Sequence, residues 1–285
     1  METNNSDLRK LQEKSIELLV AFKDFCDKNN LLFYFCGGCC IGTLRHNGFI
    51  PWDDDIDVFM PRKDYERLSE LWPKEVNPNK YKLCRSDKNN FYRSMLTAIS
   101  DEETTFIKER QQDLNIPHGV RIEILPLDGC PESNFKRKMQ LFWALLFQIY
   151  NLEEAPISKG KYLEILGKIM LFIVPTHTMR YHVWHFAEKK MSKYNINDCK
   201  FITELCARWQ YMRNKYPKEA FESAIYKDFE GLKMPIPIGY DDYLKIAFGD
   251  YMTLPPESEQ IPKHDAVYID LEHGYKRYYG IHYNK

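Results

Sequence analysis

The chain has 285 residues, with 40 Lys and Arg against 41 Asp and Glu and a formal net charge of −1. That balance excludes the overall positive field that gathers nucleic acid non-specifically, so any anionic ligand must be met by local basic groups. The length exceeds that of the usual single-core domain and leaves room for an insertion or appendage, and aromatic residues at 14 % can fill a sizeable core.

The first residues are polar and lack the charged start and apolar stretch of a secretory signal, so the expected compartment is the cytoplasm or the inner face of the membrane. The 8 Cys show no spacing of a secreted disulfide framework and are expected as thiols. Cys36-Gly-Gly-Cys39, followed by Cys40, invites a zinc reading. No second pair stands at finger spacing, so a strand running into a glycine turn is preferred.

From Asp7 to Asn29, Leu8, Leu11, Leu18, Phe22 and Phe25 recur every three or four residues, with Ser15 as a polar break, which predicts an amphipathic helix. Leu31 to Cys36 reads as a buried strand that runs into Gly37-Gly38, where backbone can approach a ligand closely. Ile41 to Arg45 is a short helical turn and His46-Asn47-Gly48 a turn. Asp55 to Met60 is a strand stopped by Pro61, and Arg62 to Trp72 is a helix. Tyr81 to Cys84, Ser94 to Ile99 and Val120 to Leu125 are further strands, the last closed by a turn at Pro126-Leu127-Asp128-Gly129.

Beyond residue 130 the pattern becomes helical, over Phe135 to Tyr150, Lys161 to Val174 and Met179 to Tyr194. Met139 to Tyr150 is apolar nearly all round and follows Lys136, Arg137 and Lys138. It is too short to span a bilayer and is read as a buried helix, with a membrane-surface helix as the alternative. Pro235 and Pro237 are placed in a loop, and Tyr240 to Phe248 in a short helix. The expected organisation is an α/β core over 1–130, a helical insertion over 131–200 on the acceptor side or a membrane surface, and a C-terminal segment over 201–285 that completes the site.

In a strand opening at Asp55, the two-residue period puts Asp55 and Asp57 on one face while Ile56, Val58 and Met60 take the other. Two like charges side by side repel, and a hard divalent cation that prefers oxygen ligands supplies the compensation. Asp53 and Asp54 read as a solvated turn. Glu123, also acidic inside an apolar strand, is the candidate third ligand, with a salt bridge to a basic side chain such as Arg121 as the alternative. Gly37, Gly38 and Gly42 would let backbone N–H groups reach phosphate oxygens, and Arg45, next to His46, could fork onto a phosphate.

The run Gly37-Gly38-Cys39-Cys40-Ile41-Gly42-Thr43-Leu44-Arg45-His46-Asn47-Gly48-Phe49-Ile50-Pro51-Trp52-Asp53-Asp54-Asp55-Ile56-Asp57 resembles the signature of the LicD family. That family includes bacterial phosphocholine transferases, is related to fukutin-type ribitol-phosphate transferases, and has a nucleotidyltransferase-like core. The likeness continues through Met60 to Glu66, Gly119 to Gly129 and Phe248 to Glu257, and then to His264; it thins in the helical middle. Cys39 and Cys40 stand where the family usually has Thr and Leu, Glu123 replaces an Asp, and Arg121 replaces an apolar residue.

The resemblance implies an α/β (α+β) fold whose mixed sheet is flanked by helices. It also implies a Mg2+ or Mn2+ cofactor held by Asp55, Asp57 and Glu123, and a CDP-linked donor such as CDP-choline or a CDP-polyol. The acceptor would be a sugar hydroxyl of a cell-surface glycan, such as teichoic acid or lipopolysaccharide, or of its lipid-linked precursor, and CMP would leave. Glu123 would be third ligand or general base, and Arg45, Arg62 and His264 would contact phosphate. Trp52 would be a cation–π wall for choline or a packing residue. No nucleic-acid partner is expected, and peripheral membrane contact stays open as the alternative to a buried helix. Two other classes stay open: a nucleotidyltransferase that passes the nucleotide itself to a protein or small molecule, and a non-catalytic glycan- or nucleotide-binding protein.

Overall fold

The computed structural model describes residues 5–155, 161–262 and 265–285. The chain runs through α1 (Asn5–Asn29), β1 (Tyr34–Phe35), α2 (Gly37–His46), β2 (Ile56–Pro61), α3 (Arg62–Glu75), β3 (Tyr81–Cys84), β4 (Thr97–Asp101), β5 (Thr105–Lys108) and β6 (Arg121–Cys130). Helices α4 (Asn134–Leu152), α5 (Lys161–Ile173) and α6 (His177–Met191) follow. The chain then passes through β7 (Phe201–Glu204), α7 (Trp209–Met212), β8 (Tyr216–Pro217), β9 (Ala224–Phe229), β10 (Leu232–Pro237), α8 (Tyr240–Phe248) and β11 (Ala266–Asp270). The fold is α/β with a mixed sheet, as the sequence leads one to expect. Two compact units divide it: Met1–Cys84, Thr97–Leu125 and Glu219–Lys285 form one, and Arg85–Leu96 and Pro126–Lys218 the other.

In the first unit the strand order is β1-β2-β6-β4-β3. Helix α1 buries Leu8, Leu11, Leu18, Phe22 and Phe25 on one face, each such side chain contributing roughly 1.5–3 kcal/mol. Ser15 interrupts that face without an unmet polar group, because its hydroxyl donates to the Leu11 carbonyl at 3.0 Å. On β2, Ile56, Val58 and Met60 are buried together on one side, as the strand period requires. The C-terminal residues belong to the same unit: β11 pairs with β5, and the Tyr34 hydroxyl donates to Phe221 O at 2.6 Å.

In the second unit the end of β6 pairs with β7, Leu127 opposite Glu204, and β7 pairs with β8. Helices α4 and α6 share a core of Ala144, Phe147, Tyr150, Trp184, Ala187 and Met191. Arg137 is buried beneath them, donating to Gln140 Oε1 at 2.7 Å, Thr203 Oγ1 at 2.9 Å and the Met212 carbonyl. Hydrogen bonds on its guanidinium are what make a buried charge tolerable.

Four local expectations are corrected. The strand before the glycines shrinks to Tyr34–Phe35, and Gly37-Gly38 is no turn but the opening of α2. The expected turn at Pro126-Leu127-Asp128-Gly129 is absent because β6 continues to Cys130. Pro126 lies where β6 changes partners along one edge, after Ile124 has paired with Thr97 and before Leu127 pairs with Glu204, so it belongs to neither of those two ladders. Pro235 and Pro237 lie in β10, half of a two-stranded hairpin whose loop, Glu230-Gly231, has φ of 52° and 79°. Positive φ at both loop positions is the turn that matches strand twist. Finally, β5 and its partner β11 went unpredicted.

At Gly42 an added Cβ would land on the Gly48 carbonyl, so α2 packs there directly against backbone. Gly42→Ala is therefore expected to destabilise the protein by about 1–3 kcal/mol despite alanine's better helix propensity, read as a lower denaturant midpoint.

Candidate active site

The acidic segment is held at the mouth of β2 by the start of α2. The Cys36 N–H donates to Asp57 O at 3.2 Å, and the Asp57 N–H points at Cys39 Sγ at 3.4 Å. The Cys39 thiol points in turn at Asp55 O at 3.6 Å. Cys39 thus grips the backbone of both acidic residues, and burial together with the nearby Asp57 carboxylate holds its thiol well above the usual range. The Gly37 N–H is taken by the Tyr243 hydroxyl of α8 at 2.9 Å, so it anchors α8 rather than facing a ligand. Gly38 has a different use. A Cβ there would coincide with Asp53 Oδ2, so the glycine is what admits the Asp53 carboxylate against the first turn of α2.

Oxygens of Asp53, Asp54 and Asp55 lie within 4.8 Å of one another. Asp53 and Asp54, expected as solvated turn residues, are half-buried members of the cluster. The Asp53 amide closes a turn onto Ile50 O at 2.9 Å, and Gln12 of α1 holds the Asp53 carbonyl at 2.9 Å, which folds the run inward. Burial, with Asp55 and Asp54 alongside, pushes the Asp53 carboxyl up to about 8. Asp54, raised by burial and by Asp55, stands at about 6. Asp55 keeps solvent contact on one side, while the protein packed on the other, with Glu123 near, raises it. Asp57 is driven well above the ordinary range by burial and then by Asp55 and Glu123.

Asp54 Oδ2 and Asp57 Oδ1 are buried without a hydrogen-bond partner. Unmet buried carboxylate oxygens among like charges are costly, and an all-oxygen donor set suits a hard divalent cation. The residues therefore fit Mg2+ or Mn2+, with Asp53, Asp54 and Asp55 as the convergent group and the Asp57 carboxyl linked to it through the charge of Asp55.

Glu123 sits opposite Ala98 in the β4–β6 ladder and is engaged by Lys108 of β5 at 2.7 Å. Its salt-bridge partner is thus Lys108, while Arg121 turns to Gln111 Oε1 at 3.2 Å. Burial works to raise Glu123, but the charge and hydrogen bond of Lys108 outweigh it and hold the carboxyl below its ordinary value. Burial would lower Lys108, and Glu123 reverses that, so the ammonium stays protonated. Its charge also reaches Asp54, Asp55 and Asp57. Nothing in the local sequence marked Lys108, because it ends a four-residue strand that only tertiary pairing brings to the site.

The remaining candidates are less concentrated. Arg45 donates to the carbonyls of Tyr251 at 3.1 Å and Thr253 at 3.4 Å, so it holds the C-terminal loop. His46 Nε2 accepts from Arg45 Nε at 3.0 Å, and burial with that neighbouring charge lowers its pKa. Arg62 opens α3, half-buried, 3.3 Å from Glu66 and over the Tyr65 ring. His264 lies outside the described residues.

The family model described as LicD/FKTN/FKRP, nucleotidyltransferase domain matches residues 30–118, a span that holds the acidic run and Lys108 but not Glu123. The chain is 32 % identical over 265 residues to "Lipopolysaccharide cholinephosphotransferase LicD" of Haemophilus influenzae, covering 90 % of this chain and 96 % of the relative. The chain belongs to the LicD family. It is accordingly an enzyme, a transferase of LicD type. Two uncharacterized proteins match shorter stretches of this LicD-family chain. One, from Rickettsia prowazekii, is 33 % identical over 64 residues, 21 % of this chain and 24 % of the relative. The other, from Rickettsia typhi, is 31 % identical over 65 residues, 22 % of this chain and 21 % of the relative.

Two outcomes follow. Gly38→Ala is expected to fold with an unchanged circular dichroism spectrum yet bind Mg2+ at least about tenfold more weakly in calorimetric titration, because its Cβ displaces the Asp53 carboxylate. The raised carboxyls also set a pH dependence. Folded-state values above the unfolded ones favour folding fully below the unfolded pKa, near 4, and that contribution is lost as pH rises through about 6 for Asp54 and about 8 for Asp53. The metal-free enzyme should thus lose thermal stability from pH 5 to 8. Saturating Mg2+ should raise Tm by roughly 5 °C at pH 8 and by less at pH 5, where protons compete for the same oxygens.

Proposed function

We propose that this enzyme transfers phosphocholine from CDP-choline to a sugar hydroxyl of lipopolysaccharide or its lipid-linked precursor, in a divalent-metal-dependent reaction that releases CMP. The observation that carries the reading is the near full-length match to a lipopolysaccharide cholinephosphotransferase, which spans the Asp53-Asp54-Asp55 cluster. The donor set supports the metal requirement, and the resemblance supports the cytidine donor.

Asp53, Asp54, Asp55 and Asp57 would hold the cation. When bound, it withdraws charge from the donor's phosphate oxygens and the departing CMP. The acceptor oxygen attacks the phosphorus that carries choline, and the bond from that phosphorus to the bridging oxygen of CMP breaks. Glu123, kept ionised by Lys108, takes the acceptor proton. Lys108 serves as the fixed positive charge beside the transferring phosphoryl group, where preorganised charge lowers the barrier. Arg62 and Trp52 are the remaining side chains offered to the donor, one to phosphate and the other, half-buried beside Asp53, to the quaternary ammonium.

Incubation with CDP-choline, Mg2+ and lipopolysaccharide, read as CMP release and as the mass of the modified glycan, tests the reading. Turnover is expected with the wild type and a loss of about 100-fold or more in Asp57→Asn and Lys108→Met. A panel of CDP-polyols checks the headgroup. A second reading, transfer of the nucleotide itself, draws on the nucleotidyltransferase description of the matching family model; pyrophosphate released from CTP or ATP in place of CMP would favour it.

A further inference from the structure

The second unit carries an apolar surface that neither the acidic cluster nor its chemistry uses. On α4, Phe135, Met139 and Phe142 recur at helical spacing along one exposed stripe, Phe135 with 74 % of its surface open. Lys136 and Lys138, both exposed, flank that stripe on either side. Helix α5 repeats the pattern: Ile165, Ile169, Phe172 and Ile173 fall within one arc and are exposed, Phe172 at 84 %, while Met170, Leu171 and Val174 on the opposite arc pack into the core. The charged residues between the arcs, Glu164 and Lys168, pair with each other at 2.5 Å. On α6, Phe186 is exposed, meets Trp143 of α4 ring to ring at 5.5 Å, and has the Lys190 ammonium over its face.

Charge is distributed unevenly between the two units. The second unit contains 18 Lys and Arg against 9 Asp and Glu, a net charge of +9, whereas the first contains 22 against 32, a net of −10. The near-neutral whole conceals a strongly basic unit, and that unit carries the exposed stripes of α4 and α5. Large apolar side chains exposed along neighbouring helices mark a binding surface. A symmetric contact between two copies through these helices would bring together two units of net +9, which disfavours self-association. An apolar stripe flanked by lysines, on helices none of which is long and apolar enough among the described residues to cross a membrane, is instead the arrangement of a surface that lies in the headgroup region of an anionic bilayer.

We propose that the α4–α6 face of the second unit seats the enzyme on an anionic lipid surface, with Phe135, Phe142 and Phe172 inserted below the headgroups and Lys136 and Lys138 at the level of the phosphates. The proposal is independent of the donor and the reaction, and its test contains neither.

The test is flotation of the full chain with vesicles of phosphatidylcholine alone and of phosphatidylcholine mixed with phosphatidylglycerol, alongside sedimentation velocity of the protein without lipid. The wild type is expected to float with the mixed vesicles and to sediment as a monomer. Phe135→Ser/Phe142→Ser/Phe172→Ser should bind the mixed vesicles at least about tenfold more weakly with an unchanged unfolding midpoint, since all three side chains are exposed. Lys136→Glu/Lys138→Glu, which alters only exposed lysines, should lose the preference for phosphatidylglycerol and keeps the test decisive should the triple variant misfold. Wild-type protein that stays with no vesicle, or variants that float as well as the wild type, would overturn the proposal. So would a concentration-dependent dimer that the triple variant abolishes, which would assign the face to a second copy.

Discussion

Five carboxylates, those of Asp53, Asp54, Asp55, Asp57 and Glu123, share one region of the first unit with the Lys108 ammonium, and most of what is distinctive in the surrounding structure exists to keep them there. Left to themselves, like charges in a poorly solvated site neutralise by taking up protons, which is what the raised values of the four aspartates express. Lys108 relieves part of this. Its ion pair secures the ionised form of Glu123, but one cation cannot satisfy the unpartnered oxygens of Asp54 and Asp57. The charge deficit that remains is of the size and oxygen chemistry that a divalent cation supplies.

The backbone around the cluster is built from groups that cannot compete for that cation. Cys39 offers a buried, protonated thiol to the Asp55 carbonyl and the Asp57 amide, holding the strand opening without adding charge. Gly38 contributes only space for the Asp53 carboxylate, and Gly42 lets α2 rest against the following loop. Tyr243 and Arg45 then tie this N-terminal motif to the chain's last third, through Gly37 in one case and the carbonyls of Tyr251 and Thr253 in the other. Those contacts bring the first and last parts of a family signature spread from Gly37 to Glu257 into one unit.

The sequence was informative wherever period alone decides geometry. Ile56, Val58 and Met60 buried on one face of β2 and the buried face of α1 follow from local spacing, whereas β2 opens only at Ile56 and leaves Asp55 ahead of the strand. Asp53 and Asp54 did not yield to that reasoning: an acidic run after Pro51-Trp52 looks the same whether it is solvated or folded inward. Here Gln12 and the bare Cα of Gly38 fold it inward. Lys108 was invisible for a related reason, since its pairing with Glu123 depends on β5 meeting β11 and β6 meeting β4. Pro126 and Pro235 misled in the opposite direction, because an exchange of strand partners in one case and a two-stranded hairpin in the other leave room for a residue without an N–H. The charge asymmetry between units was hidden by a division that interleaves the chain.

An aspartate cluster built to hold a divalent metal must bind one. Anomalous diffraction from crystals of the enzyme soaked in Mn2+ tests it most directly. A manganese peak ringed by carboxylate oxygens of Asp53, Asp54 and Asp55, at distances suited to direct coordination and lost in Asp55→Asn, is the expected result. Well-ordered, ionised aspartates with no peak among them, or a peak held by other residues alone, would contradict it.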